Sequence, residues 1–238
     1  MKTVLITGGS RGIGRETVKL FSKNGYKVAF TYKNSEAEAR ALSEETGALA
    51  IRADSSSEAD VISAVEEVEK QFGNIEILIN NAAVSSFSLI TDVTLDAWRD
   101  MFSVNVEAAF LYSKRVLPAM IRKGEGRIIN VSSMWGLVGS SCEVCYSSTK
   151  AALIGFTKAL AKEVGPSGIT VNAIAPGLID TDMNSSLTDE DKSAIFDQTP
   201  LMRIGRADEI GEAILFLASD KASFITGAVL NVSGGLVV

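Results

Sequence analysis

Histidine is missing from all 238 residues of this chain. Its absence removes Ser-His-Asp nucleophilic catalysis and histidine-built metal sites together, so any chemistry must rest on Tyr, Lys, Ser or carboxylates. Cysteine is scarce: Cys142 and Cys145 are the only two, spaced C-x-x-C. A redox role for such a pair needs an electropositive setting, whereas Glu143 lies between the thiols, and a zinc site would need two further ligands of a kind the chain lacks. Two reduced thiols of a cytoplasmic protein fit the pair better, and no metal is expected. No apolar run reaches ~18 residues, so nothing is expected to span a membrane. The first strand begins at about the third residue, which leaves no room for a signal peptide. Excess positive charge is lacking too: the net charge of −6 argues against a nucleic-acid surface.

A hydrophobic content of 46 % over this length supports one large core, and a single α/β domain over residues 1–238 is the natural fit. Strand and helix signals alternate to the end. Strands are expected at Lys2–Thr7, Lys27–Tyr32, Ala48–Ala53, Ile75–Asn80, Arg127–Val131, Ile169–Ala175 and near Ala228–Val232. Helices are expected at Arg15–Asn24, Ser35–Thr46, Ser57–Phe72, Leu95–Arg122, Val144–Val164 and Ala207–Ala218, with a lid-like loop over Gly177–Pro200. Seven strands with helical crossovers imply a Rossmann-type, doubly wound parallel sheet.

The first strand runs directly into Gly8-Gly9-Ser10-Arg11-Gly12-Ile13-Gly14 and then a helix. Strand, glycine turn and helix together let backbone N–H groups and the helix dipole hold a pyrophosphate, with glycines where a Cβ would block close approach. The spacing is Gly-x-x-x-Gly-x-Gly, not the Gly-x-Gly-x-x-Gly of the standard dinucleotide fingerprint. Gly9 and Gly14 have the gap of a nucleotide-triphosphate loop, but Arg15-Glu16 stands where Lys-Ser/Thr is required, which makes a triphosphatase unsuitable.

Tyr146 and Lys150 are four residues apart on a helix, so they share one face, and Ser133 precedes the tyrosine by thirteen residues. A free tyrosine titrates near ~10 and gives up its proton reluctantly at neutral pH. Lowering it to roughly 7 takes about 4 kcal/mol, of which one close cation supplies ~1–3 pKa units and the positive charge of an oxidised nicotinamide could supply the rest. Two such residues on a solvated helix face are commonplace. What raises this pair above coincidence is its company at the carboxyl ends of the strands, where ligands of open α/β sheets bind. Those ends carry the glycine turn, Asp54-Ser55, Asn80-Asn81-Ala82-Ala83, Ser132-Ser133 and Pro176 to Thr181.

In these motifs the chain resembles the short-chain dehydrogenase/reductase family over its whole length. Thr7-Gly8-x-x-x-Gly12-x-Gly14, Asn80-Asn81-Ala82, Asn105, Ser133, Tyr146-x-x-x-Lys150 and Pro176-Gly177 stand in that family's order and spacing. The resemblance implies that Tyr146 donates a proton to a carbonyl and that Ser133 polarises its oxygen. Lys150 would lower the tyrosine pKa and hold the nicotinamide ribose, and Asn105 would position a water in the proton relay. Asp54 would bind the adenine amine beside Ser55, Asn81 and Ala82 the adenosine side, and Ile179 and Thr181, after Pro176-Gly177, the nicotinamide carboxamide. Ala83 departs from the family's usual glycine, and a small local adjustment is expected there.

Coenzyme choice follows from residues. NAD enzymes place a carboxylate at the end of the second strand, on the ribose hydroxyls. That end reads Tyr32-Lys33-Asn34 here, and Ser10 and Arg11 add a donor and a cation in the glycine turn. Arg11 and Lys33 match a 2′-phosphate, so NADP(H) is the expected cofactor, with Gly8, Ser10, Gly12, Ile13 and Gly14 cradling its phosphates.

Among the family's branches, Phe216-Leu-Ala-Ser-Asp220 and Ile225-Thr-Gly through Asn231-Val-Ser-Gly-Gly235 resemble the 3-oxoacyl-[acyl-carrier-protein] reductases. Ser167 stands where those enzymes often carry a carrier-gripping arginine, although Arg122-Lys123 remains. The loop from Met134 to Tyr146 is more similar to reductases acting on the 5-aminopentanone modification of bacterial elongation factor P. In that alternative Glu143 would meet a cationic substrate; otherwise it caps the following helix. A non-catalytic NADP(H)-sensing regulator is the alternative of another class, but such proteins typically lose the tyrosine or lysine that this chain keeps. Ketone reduction on a small-molecule or carrier-bound substrate is thus the expectation. The family's habit and the apolar Leu236-Val237-Val238 terminus point to a homotetramer.

Overall fold

A computed structural model describes residues 1–184 and 188–237. Among them, seven parallel strands form one sheet in the order β3-β2-β1-β4-β5-β6-β7. The strands are β1 (Thr3–Ile6), β2 (Lys27–Tyr32), β3 (Leu49–Arg52), β4 (Ile77–Asn80), β5 (Gly126–Val131), β6 (Ile169–Pro176) and β7 (Val229–Val232). Their short apolar runs alternate between the two faces. Val4, Ile6, Ile77 and Ile79 join one core cluster, while Leu5 and Leu78 join the other. Each face therefore has to be covered by helices, which is why the sheet is parallel and central.

On the first face lie α1 (Gly12–Lys23), α2 (Glu36–Thr46) and α9 (Ala207–Ala218), through Val18, Phe21, Leu42, Ile210, Ile214 and Leu217. The second face is covered by α3 (Glu58–Phe72), α5 (Ala108–Lys123) and α7 (Val144–Val164), through Val61, Val65, Tyr112, Val116, Leu160 and Val164. The ends are set by local chemistry. The Ser57 hydroxyl accepts the Asp60 amide to start α3, and Gly73 and Gly124 take left-handed backbone, with φ of 84° and 71°, where α3 and α5 stop.

The long helix expected over Leu95–Arg122 is present without a break, as α4 (Leu95–Phe102), a π-helical turn over Ser103–Glu107, then α5. The wide turn coincides with Asn105, whose side chain is drawn off into the site described below. The expected loop over Gly177–Pro200 contains α8 (Asp189–Gln198), whose sequence has too little apolar periodicity to announce a helix; residues 185–187 of that stretch lie outside the described residues. The short α6 (Trp135–Val138) was likewise unannounced. Of the apolar terminus, Val238 lies outside the described residues, and Leu236 and Val237 are half-buried. The Val237 carbonyl accepts hydrogen bonds from Asn231 and Ser233, so the chain turns back on itself there.

Candidate active site

Strand order reverses between β1 and β4, and the crevice opens at that point. Thr7 ties the two strand ends together. Its hydroxyl oxygen accepts from the Asn81 and Ala82 amides, both at 3.0 Å, while the Asn81 side chain donates to the Thr7 and Gly8 carbonyls at 2.9 and 3.0 Å. Thr7 belongs to the motif quoted above but was given no role from sequence; a threonine closing an apolar strand was the available signal. Asn81 is consequently spent on the protein's own backbone and offers the crevice only its remaining surface.

The glycines turn out to have several reasons. Gly8 and Gly12 adopt left-handed backbone, with φ of 65° and 51°. A Cβ on Gly14 would run into the Gly8 carbonyl and lie 2.6 Å from the Asn81 amide nitrogen, and one on Gly9 would meet Phe30. Gly14 is glycine because the turn folds tightly on itself there, and Gly9 because Phe30 of β2 packs against it. Ala83 adopts no left-handed backbone, so the departure from glycine fits without strain.

The turn forms one wall of a cavity of about 520 Å³. Gly8, Ser10, Arg11, Gly12, Ile13 and Gly14 line it from the end of β1. Tyr32, Lys33 and Asn34 follow β2, and Asp54 and Ser55 follow β3. Ala82 and Ala83 reach it from β4, with Asn81 beside them, and Thr181 closes it from the far side. An extended dinucleotide suits this space: the N-terminus of α1 faces it, and two cations, Arg11 and Lys33, stand at one end. Pro176, Gly177 and Ile179 do not line it. The Gly177 amide donates to the Val232 carbonyl and the Pro176 carbonyl accepts from the Met134 amide. Ile179 is buried in the core, so only its backbone is left to face a ligand.

At the end of β5 the setting changes from open to dry. Ser133 is buried, and its hydroxyl oxygen accepts from the Trp135 amide at 3.2 Å. Tyr146 and Lys150 stand one turn apart on α7, with the Lys150 ammonium 5.4 Å from the Tyr146 ring centre. Burial pushes the Tyr146 phenol up to about 12; the Ser133 hydroxyl pulls down and the Glu143 charge pushes further up, and neither overturns burial. Burial likewise brings Lys150 down to about 7. Its ammonium donates to the Val131 carbonyl at 2.9 Å, and the Ser132 hydroxyl donates to the Lys150 carbonyl at 2.8 Å. Lys150 is not among the groups that shift Tyr146, its ammonium being turned to the Val131 carbonyl.

Asn105 sits in the π turn, fully engaged. Its oxygen accepts from the Val84 amide at 2.8 Å, and its nitrogen donates to the Val84 carbonyl at 2.9 Å and to the Thr149 hydroxyl at 3.1 Å. Thr149 in turn donates to the Tyr146 carbonyl at 2.7 Å. Asn105 therefore braces the loop after β4 against the helix that carries the tyrosine; both N–H groups of its side chain are used, and its oxygen keeps one lone pair. A second buried chain runs beneath: Asn80 donates to Asn130 at 2.8 Å, and Asn130 to Thr157 at 2.8 Å. Asn130 and Thr157 went unremarked in the sequence, though a buried asparagine inside an apolar strand was the clue.

Glu143 precedes the first turn of α7, but its side chain makes no capping hydrogen bond. It is half-buried, with its proton affinity raised by burial and partly restored by a bond from Ser140. Among the described residues there is no cluster of three or more Cys, Asp or Glu that could hold a metal, and no helix long and apolar enough to cross a membrane.

A seven-stranded Rossmann sheet with Ser133, Tyr146 and Lys150 at its carboxyl edge defines an oxidoreductase that interconverts ketone and hydroxyl groups, and the chain belongs to the short-chain dehydrogenase/reductase family. Residues 8–237 match the family model described as enoyl-(acyl carrier protein) reductase. The chain is similar to the 3-oxoacyl-[acyl-carrier-protein] reductase FabG of Escherichia coli, at 41 % identity over 99 % of this chain and 97 % of that one. The enzyme of the same name from Staphylococcus aureus is 40 % identical over 99 % and 98 %. A solved short-chain dehydrogenase/reductase of Serratia marcescens, a double mutant, superposes with a TM-score of 0.93 at 36 % identity, covering 99 % and 97 % of the two chains.

Proposed function

We propose that this chain reduces a ketone to a secondary alcohol with NADPH, and that its substrates are 3-oxoacyl thioesters on acyl carrier protein. The observation that carries the reading is the buried cluster of Ser133, Tyr146 and Lys150, the serine hydroxyl lowering the proton affinity of the phenol and the lysine one turn along, beyond the carboxyl end of β5. The coenzyme would supply hydride. Backbone amides of the glycine turn would hold its pyrophosphate, Arg11 and Lys33 its 2′-phosphate, Asp54 and Ser55 its adenine, Ala82 its adenosine side, and Thr181 with the Ile179 backbone its carboxamide. Ser133 would hold the ketone oxygen, and Tyr146 would deliver its phenolic proton to that oxygen. Burial suits the tyrosine to this direction, because a phenol pushed up to about 12 enters the reaction protonated. Lys150, poised near neutrality, takes up and passes on a proton within the physiological range.

The test is NADPH consumption with a 3-oxoacyl-[acyl-carrier-protein] thioester, a neutral β-ketoester and a cationic aminoketone. Turnover of the thioester supports the reading; coenzyme binding with no turnover on any ketone ends it and leaves a coenzyme-sensing regulator. Glu143 favours a second reading, reduction of an aminoketone such as the 5-aminopentanone group on elongation factor P. Its carboxylate is half-buried, makes no cap bond and lies close enough to Tyr146 to raise its proton affinity. Glu143→Gln separates the two: on this reading kcat/KM falls for the aminoketone and holds or rises for the thioester.

A homotetramer and a cytoplasmic setting belong to the same proposal. Phe110 and Ile121 are exposed on α5, and a Cβ on Gly155 of α7 would meet nothing, which leaves a close-packing face for another copy. A monomer by light scattering at micromolar concentration would end the oligomer reading.

A further inference from the structure

The cavity holds four charged side chains at its coenzyme end, and they are paired. Lys33 Nζ lies 2.6 Å from Asp54 Oδ2, and Arg11 Nη1 lies 3.9 Å from Asp182 Oδ2. All four line the same space. The two members of the closer pair differ in freedom. Asp54 is fixed, since its other oxygen accepts from the Ser56 amide at 3.0 Å and the Ser56 hydroxyl at 2.7 Å, and its side chain is 28 % exposed. Lys33 is 57 % exposed and held by Asp54. Burial pulls the Asp54 carboxyl up, but Lys33 and Ser56 outweigh it, so the group stays charged through the neutral range. Asp182 belongs to the Asp182–Asn184 turn, just after Thr181, whose methyl would meet a Cβ on Gly12. The second pair therefore spans from the glycine turn to the segment that closes the cavity.

We propose that Asp54 and Asp182 set coenzyme selection in this protein, by holding Lys33 and Arg11 until a 2′-phosphate displaces them. The inference rests on the NADPH reading above. By charge the subsite is balanced, two cations against two carboxylates. A doubly ionised phosphate gains the cations only by taking them from carboxylates that stay nearby and repel it. NADH carries hydroxyls at that position and disturbs neither pair. Preference for NADPH is thus the difference between two ion-pair sets, smaller than two free cations would give. The acidic residues tune it from behind.

The experiment measures dissociation constants of NADPH and NADH by coenzyme fluorescence on the full chain. Wild type, Asp54→Asn, Asp182→Asn, Lys33→Ala, Arg11→Ala and the two paired double variants are compared at fixed ionic strength. Asp54→Asn keeps an oxygen for Ser56 and releases Lys33, so the NADPH/NADH affinity ratio rises by about twofold to fivefold, the size of an exposed ion pair. That rise vanishes in the Lys33→Ala background. Asp182→Asn gives a smaller rise that vanishes with Arg11→Ala. If Asp54→Asn weakens both coenzymes equally, Asp54 serves the adenine alone and the proposal falls; a ratio unchanged in both acidic variants ends it as well. Should Asp54→Asn fail to fold, Lys33→Ala probes the pair from its exposed side: the ratio falls if the proposal holds, and stays put if it does not. A wild type that binds NADH more tightly than NADPH overturns the NADPH reading instead, while the direction of the ratio change still judges the exchange.

Discussion

Around the glycine turn the charged side chains are open to water, with Arg11 58 % and Lys33 57 % exposed, whereas Tyr146 and Lys150 retain only 9 % and 2 %. The carboxyl edge of one sheet therefore treats charge in two ways. At the coenzyme end, carboxylates and cations pair and re-pair under solvent screening, and each exchange is worth little. At the catalytic end no carboxylate among the described residues pairs with Lys150, and burial is the largest influence on the proton affinities of phenol and amine. Exposed charge suits reversible capture of a polyanion. Buried, unpaired charge suits a step in which a proton must be held until a partner needs it.

The largest test of that contrast is Tyr146→Phe. Loss of the proposed proton donor should lower kcat by ~10²–10⁴-fold while NADPH affinity, set at the other end, stays nearly constant. A variant that keeps more than about a tenth of wild-type turnover would take Tyr146 out of the role.

Lys150→Met sharpens the burial argument. Activity should fall, yet the protein should gain stability at neutral pH, by about 1–3 kcal/mol. The sign follows from linkage: the folded pKa is near 7 against an unfolded 10.5, so the unfolded chain binds more protons in between and wild-type stability rises with pH across that window. The advantage of methionine therefore shrinks toward pH 10, as denaturant melts across pH would report. A variant less stable at pH 7 would mean the Val131 hydrogen bond outweighs desolvation.

Gly14→Ala tests the tight turn. The added Cβ meets the Gly8 carbonyl and the Asn81 amide, so a destabilisation of about 1–3 kcal/mol should show even without coenzyme. If the apo protein melts as wild type and only binding suffers, the residue is glycine for the phosphate after all. The smallest effect belongs to Arg11→Ala, about 1 kcal/mol in NADPH affinity and little for NADH, because an exposed arginine already shared with Asp182 has less to give. Equal losses for both coenzymes would remove Arg11 from the 2′-phosphate.

Strand positions and the residues at the strand ends were legible in sequence, because each strand is a short apolar run broken by Gly, Asn or Ser at the edge where the crevice opens. Glycine spacing and the Tyr-Lys interval were legible for the same local reason. What escaped was set by distant parts of the chain. The Asn105 side chain is held by Val84 and Thr149, so nothing within its own helix foretold the wide turn. The direction of the Tyr146 shift depends on how dry α7 is kept, and a spacing of four residues carries no information about water. Lys33 and Asp54 were each visible, one after β2 and one after β3, but their contact exists only because those strands are neighbours.

The wide turn at Ser103–Glu107 also carries a lesson about length. A π turn holds about one residue more than the α-helix around it, so α5 is offset from the phase that α4 alone would give it. Delete one residue there and the helix could run straight through. Everything downstream would then be rotated by about 100° relative to α4. Tyr112, Val116 and Met120, which now lie against the sheet, would swing toward solvent, or α4 would have to twist away from the loop it shelters. The surplus residue works as a spacer in the chain's numbering, letting one continuous rod answer to two partners whose periodicities do not agree.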